Sequence, residues 1–152
     1  IMEENENVCF ISVGRPFAEG LAKHFGDDRA LSIPFAAIEQ YPSAMTMFDI
    51  ALAPAGKGGF FRGKSDLRWM EAGALAIPTV ADPMVYNRIN PGVNGFHAES
   101  AADCLGILRR LVADSELRTI VGTSAKEFVE RECSIGTTAQ QWADMFEQVL
   151  AV

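Results

Sequence analysis

Apolar residues alternate between two habits along this chain: short continuous runs, and stripes at helical spacing. Val8 to Val13 (VCFISV) is a continuous run closed by Gly14, which predicts a buried strand. Phe17 to Phe25 follows with helical spacing and is stopped by Gly26-Asp27-Asp28. Ala30 to Pro34 reads as a second strand, Ile38 to Phe48 as a helix with Pro42 near its start, and Ile50 to Ala53 as a third strand closed by Pro54. A glycine-rich loop, Ala55 to Gly63, leads into a helix from about Ser65 to Leu75. Ile77 to Ala81 is a fourth strand, and a Pro91-Gly92-Val93-Asn94-Gly95 turn precedes a short fifth strand at Phe96 and His97.

The last third is helical throughout. Cys104, Leu105, Leu108, Leu111 and Val112 form one apolar face; Leu117, Ile120, Val121, Ser124 and Phe128 form another, with Asp114 or Ser115 as N-cap. Trp142, Met145, Phe146 and Val149 repeat at i, i+3, i+4 and i+7. Strands alternating with helices predict an α/β domain: a Rossmann-like, doubly wound parallel sheet with a helical C-terminal tail. Ligands of such sheets bind beyond the carboxyl ends of the strands, so the loops after Val13, Pro34, Ala53 and Ala81 are where chemistry is expected.

Composition narrows the picture only a little. A chain of 152 residues with 49% hydrophobic and 22% charged residues has the profile of one ordinary globular domain. Its net charge of −7 disfavours nucleic-acid binding, which draws its affinity from Lys and Arg. The three cysteines, Cys9, Cys104 and Cys133, are widely spaced, and no CxxC or His/Cys cluster is present. Neither a metal site nor a disulfide framework is expected. Reduced, buried thiols at Cys9 and Cys104 would suit a cytoplasmic setting. No apolar run approaches the roughly 18 residues of a membrane span, and no signal peptide is visible.

Candidate chemistry concentrates in the loop and helix after the third strand. Glycines followed by Lys64, Ser65 and Asp66 at a helix start suit an anion, because free backbone N–H groups are approachable there. Lys57, Arg62 and Lys64 add positive charge against the negative overall balance; a solvated surface loop is the plainer alternative. Leu67, Met70 and Ala74 predict the inward stripe of this helix, with Glu71 on the same side. A carboxylate there must be paired, hydrogen-bonded or turned to a ligand. It could pair with Arg68 three residues earlier, or accept hydrogen bonds from a vicinal diol such as a ribose.

Gly58 to Ser65 also fits G-x-x-x-x-G-K-[ST], the phosphate-loop pattern of nucleoside-triphosphate hydrolases and kinases. Against it, Ala55 to Lys57 separate the pattern from the strand end, and Pro78 and Pro83 bracket the strand whose Asp82 would play the second carboxylate. A non-catalytic module is a third alternative. A receiver-like version would want clustered carboxylates where this chain has Val13-Gly14-Arg15. Arg15 could touch phosphate or be a surface charge. Tyr86 and Asn87 follow the fourth strand in positions suited to packing or capping, and His24 and His97 lack a partner pattern.

Asp49 to Pro54, Lys64-Ser65, and Glu71 to Ala81 together resemble the C-terminal domain of group 1 (family 4) glycosyltransferases of the GT-B fold. The likeness continues through Tyr86, the Gly92 to Gly95 turn, and Asp114 to Arg118 with Ala125 beyond. It implies a nucleoside-diphosphate sugar as donor, no other cofactor and no bound metal, retention of configuration, and an acceptor held by a separate N-terminal domain. It also implies that N–H groups of Ser65, Asp66 and Leu67 face the diphosphate, that Lys64 neutralises it, and that Glu71 accepts from the ribose. The family pairs two glutamates eight residues apart, and the first of these positions is Gly63 here. No catalytic residue is therefore assigned. Two such domains need well over 300 residues, at about 150 each, so the acceptor domain is expected outside this chain, and the chain alone is expected not to transfer sugar.

Overall fold

The computed structural model describes residues 1–14, 17–35, 37–56 and 58–151; Arg15 and Lys57, both named above, lie outside the described residues. The first half runs β1 (Phe10–Val13), α1 (Glu19–Phe25), β2 (Ala30–Ile33), α2 (Tyr41–Met45), β3 (Ala51–Ala53), α3 (Gly59–Arg62) and α4 (Leu67–Ala74). The second runs β4 (Thr79–Ala81), β5 (Phe96–His97), α5 (Ala101–Ala113), α6 (Ser115–Glu132) and α7 (Ile135–Leu150). Among the described residues every ladder is parallel, as the strand–helix alternation requires. The strands fall into two sheets, β1-β2 and β3-β4-β5, with Ala51 opposite Thr79 and Val80 opposite Phe96.

Boundaries shift where local chemistry overrules pattern. Cys9 stands outside β1 and is exposed, so the buried thiol expected there is not found; Cys104 is half-buried. The long helix expected over Ile38 to Phe48 contracts to α2, with Pro42 in its first turn, where its missing N–H costs nothing. The glycine loop contains a short helix, α3, that the density of glycines concealed. Ser100, Asp114 and Ser134 cap α5, α6 and α7 by accepting from the N–H groups of Asp103, Leu117 and Thr137.

The helix that matters most, α4, buries a different stripe from the expected one. Trp69, Ala72 and Gly73 face inward, while Leu67 is 51% exposed and Ala74 is exposed. Both stripes obey the helical period, but the small residues decide between them. A Cβ on Gly73 would stand 3.0 Å from Val129 Cγ2 and 3.4 Å from the Ala125 carbonyl oxygen of α6. Only the face carrying Ala72 and Gly73 allows so close an approach.

Trp69 anchors this face. It is fully buried among Ala53, Ala81, Val85, Tyr86 and Ile89, and its ring centroid lies 5.4 Å from that of Phe128. Its indole Nε1–H donates to the Asn94 carbonyl at 2.9 Å. Asn94 belongs to the glycine turn, where Gly92 and Gly95 take positive φ and the Asn94 side chain accepts from the Asn90 N–H at 2.6 Å. The turn before β5 thus fixes where α4 sits.

At its other end α4 closes in a Schellman motif. Ile77 N–H donates to the Ala72 carbonyl (2.9 Å) and Ala76 N–H to the Gly73 carbonyl (2.8 Å), with Ala76 left-handed at φ 57°. Here Gly122 of α6 comes so close that a Cβ would lie 1.9 Å from the Ala76 carbonyl oxygen. Among the described residues, no helix is long and apolar enough to cross a membrane.

Candidate functional site

Beyond the carboxyl ends of β3 and β4 lies a cleft of about 200 Å³, lined by Pro54, Ala55, Phe61, Lys64, Ser65, Leu67, Arg68, Val85 and Tyr86. A larger hollow of about 330 Å³, between Asp49, Ile77, Pro78 and Arg118, opens at the amino ends of the same strands. The first has the position at which parallel sheets bind ligands, and the second does not.

The start of α4 forms one wall of this cleft. Among the described residues, the backbone N–H groups of Ser65, Asp66, Leu67 and Arg68 find no acceptor; the first used is that of Trp69, which reaches the Asp66 carbonyl at 3.0 Å. Ser65, where the helix was expected to start, lies two residues before its first residue, Leu67. Lys64 is exposed, and its Nζ sits 4.8 Å from the centroid of the Phe60 ring. Four unsatisfied donors, the positive end of a helix and the nearby Lys64 and Arg68 make a place that favours an anion.

Asp66 occupies the N-cap position, yet its carboxylate caps nothing. It is held instead by Arg88, which donates from Nε at 2.6 Å and from Nη2 at 2.9 Å. Sequence reasoning missed Arg88, because nothing along the chain links it to a residue 22 positions earlier. The carboxylate also holds the guanidinium pKa above its ordinary value, chiefly through this hydrogen bond.

Glu71 lies one turn further along α4, half-buried, on the flank of the true inward stripe and outside the lining of the cleft. The ion pair with Arg68 does not form, and among the described residues Glu71 has no salt-bridge or hydrogen-bond partner. Burial raises its pKa above the ordinary value, and the more distant Arg68 only partly opposes this. Its charge helps to raise the pKa of Tyr41 and of Tyr86, after burial as the main cause in each. Of the residues expected to bind a donor, Lys64, Ser65 and Leu67 meet in the cleft, Asp66 turns aside, and Glu71 stands a turn away.

Other expectations resolve into packing. Tyr86 is buried at the edge of the cleft, and its carbonyl is 3.0 Å from His97 Nε2. His24 is exposed beside Glu3 at 3.7 Å. The phosphate-loop pattern meets a geometric obstacle. Gly59 to Arg62 coil into α3, with the Phe61 N–H committed to the Gly58 carbonyl and the Lys64 N–H to that of Phe61. Those donors would have to point at a phosphate. Among the described residues, no three His, Cys, Asp or Glu side chains converge.

No family model matches the sequence, and no curated protein matches it. Solved structures do share its architecture. One is the C-terminal domain of a glycosyl transferase group 1 family protein, LpcC, from Francisella tularensis: 24% identical, over 77% of this chain and 60% of that one, with a TM-score of 0.63. Another is HepE from Anabaena in complex with UDP-glucose: 20% identical, over 95% of this chain and 42% of that one, TM-score 0.70. A third is sucrose-phosphate synthase from Thermosynechococcus elongatus: 18% identical, over 93% and 38%, TM-score 0.74. The fold is that of a GT-B glycosyltransferase C-terminal domain. The chain spans 60% of the length of the first and about two fifths of the other two.

Proposed function

We propose that this chain is the nucleotide-sugar-binding domain of a glycosyltransferase, with the diphosphate at the start of α4 and the ribose at Glu71. The observation that carries it is the pairing of two unmet needs on one helix. The N–H groups of Ser65 to Arg68 lack acceptors, and one turn (about 5.4 Å) further on an unpaired, half-buried carboxylate lacks donors. A nucleoside diphosphate supplies both at that spacing: phosphate oxygens that accept, then ribose hydroxyls that donate. The UDP-glucose bound by the structural neighbour HepE supports the ligand class.

In this reading preorganised N–H donors, with Lys64 beside them, stabilise the negative charge that grows on a departing diphosphate. No side chain here is assigned to the transferred sugar, since Gly63 presents none. The acceptor would be held by a second, N-terminal domain. The exposed stripe Trp142, Met145, Phe146 and Val149 on α7 supports a partner surface. A cytoplasmic setting agrees with the three free thiols.

Calorimetric titration with UDP, GDP and ATP, each with and without magnesium, tests the proposal. We expect metal-independent binding of UDP or GDP, weakened about tenfold or more by Glu71→Ala through loss of hydrogen bonds to a charged group. Binding of ATP alone, and only with magnesium, would overturn it in favour of a phosphate-loop protein.

A further inference from the structure

An aspartate at an N-cap ordinarily accepts from the N–H groups two and three residues on, and so satisfies its own helix. Asp66 does not. Its side chain, only 12% exposed, is turned away into a two-pronged bond with Arg88, and the N–H groups of Leu67 and Arg68 stay open. Arg88 is itself fixed on several sides. Nη1 donates to Cys133 Sγ at 3.2 Å, Nη2 also meets Met70 Sδ at 3.0 Å, and the guanidinium carbon lies 5.8 Å from the Trp69 ring centroid. A lysine could not hold two carboxylate oxygens and these contacts together, since the arrangement needs a planar fork.

We infer that Arg88 is a positioning residue for the anion, keeping Asp66 from capping α4 and cancelling its charge, so that the helix start stays open to the diphosphate. The inference rests on the donor-binding reading and adds what holds the site ready. Without Arg88, Asp66 is free to rotate back onto the open N–H group of Arg68. One of the open donors is then taken, and a bare carboxylate stands where phosphate should bind.

The test is binding of UDP, inorganic pyrophosphate and uridine to four proteins: the native chain, Arg88→Gln, Asp66→Ala, and the double variant. Arg88→Gln should weaken UDP and pyrophosphate at least tenfold, as expected of a like charge within several ångströms at a partly screened site, and leave uridine unchanged. Asp66→Ala should tighten both anions a few-fold, and the double variant should recover most of the affinity lost by Arg88→Gln. That recovery separates positioning from mere support of the fold, because a structural defect at Arg88 would persist when Asp66 is removed. If Arg88→Gln does not fold, Asp66→Ala decides alone: anion binding weakened by that change would overturn the inference. So would equal losses of UDP and uridine in Arg88→Gln, or no recovery in the double variant. A native chain that binds neither UDP nor pyrophosphate would overturn the donor-binding reading, and this inference with it.

Discussion

Replacing Gly122 by alanine should destabilise the protein, although alanine is the better helix former. Gly122 lies within α6, where the exchange alone would contribute about 0.8–1 kcal/mol of stability. The added Cβ, however, would lie 1.9 Å from the Ala76 carbonyl oxygen and 2.7 Å from its carbonyl carbon. Ordinary C···O contacts begin near 3.3 Å, so one backbone must retreat by more than an ångström. Neither can do so cheaply. Ala76 is locked in the Schellman motif, Ile77 beside it is 6% exposed, and Val121 and Ala125 of α6 are fully buried. Overpacking costs about 1–3 kcal/mol, and a clash with backbone belongs at the upper end. The net loss is then about 2 kcal/mol, or a fall in Tm of about 4–8 °C. Gly106 of α5 is the control. It is exposed, a Cβ there meets nothing within 4 Å, and Gly106→Ala should stabilise by about 1 kcal/mol. Urea unfolding followed by far-ultraviolet circular dichroism measures both. Two variants shifting together toward higher stability would refute the packing argument.

Two further predictions concern α4. Ala76→Gly should stabilise by about 1 kcal/mol, because an L-residue held at φ 57° costs about 1–2 kcal/mol that glycine avoids, less the entropy glycine adds to the unfolded chain; a lowered urea midpoint would contradict the strain. Glu71 should make both stability and binding depend on pH, in opposite senses. Its folded pKa is raised, so its contribution to stability is complete below the ordinary value of 4.5 and is lost as pH rises through the folded value. Relative to Glu71→Gln, the native chain should therefore lose stability across that window, while its UDP affinity grows as the carboxylate ionises to accept from the ribose. Parallel pH profiles for the two proteins would remove Glu71 from the proposed site.

What the sequence made legible was the part governed by local rules. Strand–helix alternation, the caps at Ser100, Asp114 and Ser134, and the glycine turn at Gly92 to Gly95 all follow from near neighbours along the chain, although the sequence reading names neither the Ser100 nor the Ser134 cap. The inward face of α4 was misjudged because two stripes share one period. What separates them is the closeness of α6, and that is carried by Gly73, Gly122 and Ala125 in tertiary contact. The same reason hid Arg88. A helix start rich in glycine, lysine and serine announces an anion from sequence, but whether its N–H groups are open depends on where the Asp66 carboxylate turns. That is settled by a guanidinium from a loop beyond β4.

The structure also bears on Gly63, the position at which the resembled family carries a glutamate. A glycine can be required by its backbone or by its surroundings, and neither applies here. Gly63 has φ −89° and ψ 3°, open to any L-residue, and a Cβ would meet nothing nearer than the Phe60 carbonyl oxygen at 3.8 Å. Contrast Gly122, where the missing Cβ is demanded by a neighbour. A side chain at Gly63 would stand at the end of α3, one residue before Lys64 and beside the cleft. Packing there would tolerate a carboxylate, so neither the backbone nor the surroundings of this position demand glycine. In the donor-binding reading proposed above, Arg88 draws one protein carboxylate away from the start of α4, and Gly63 leaves a second one absent beside it.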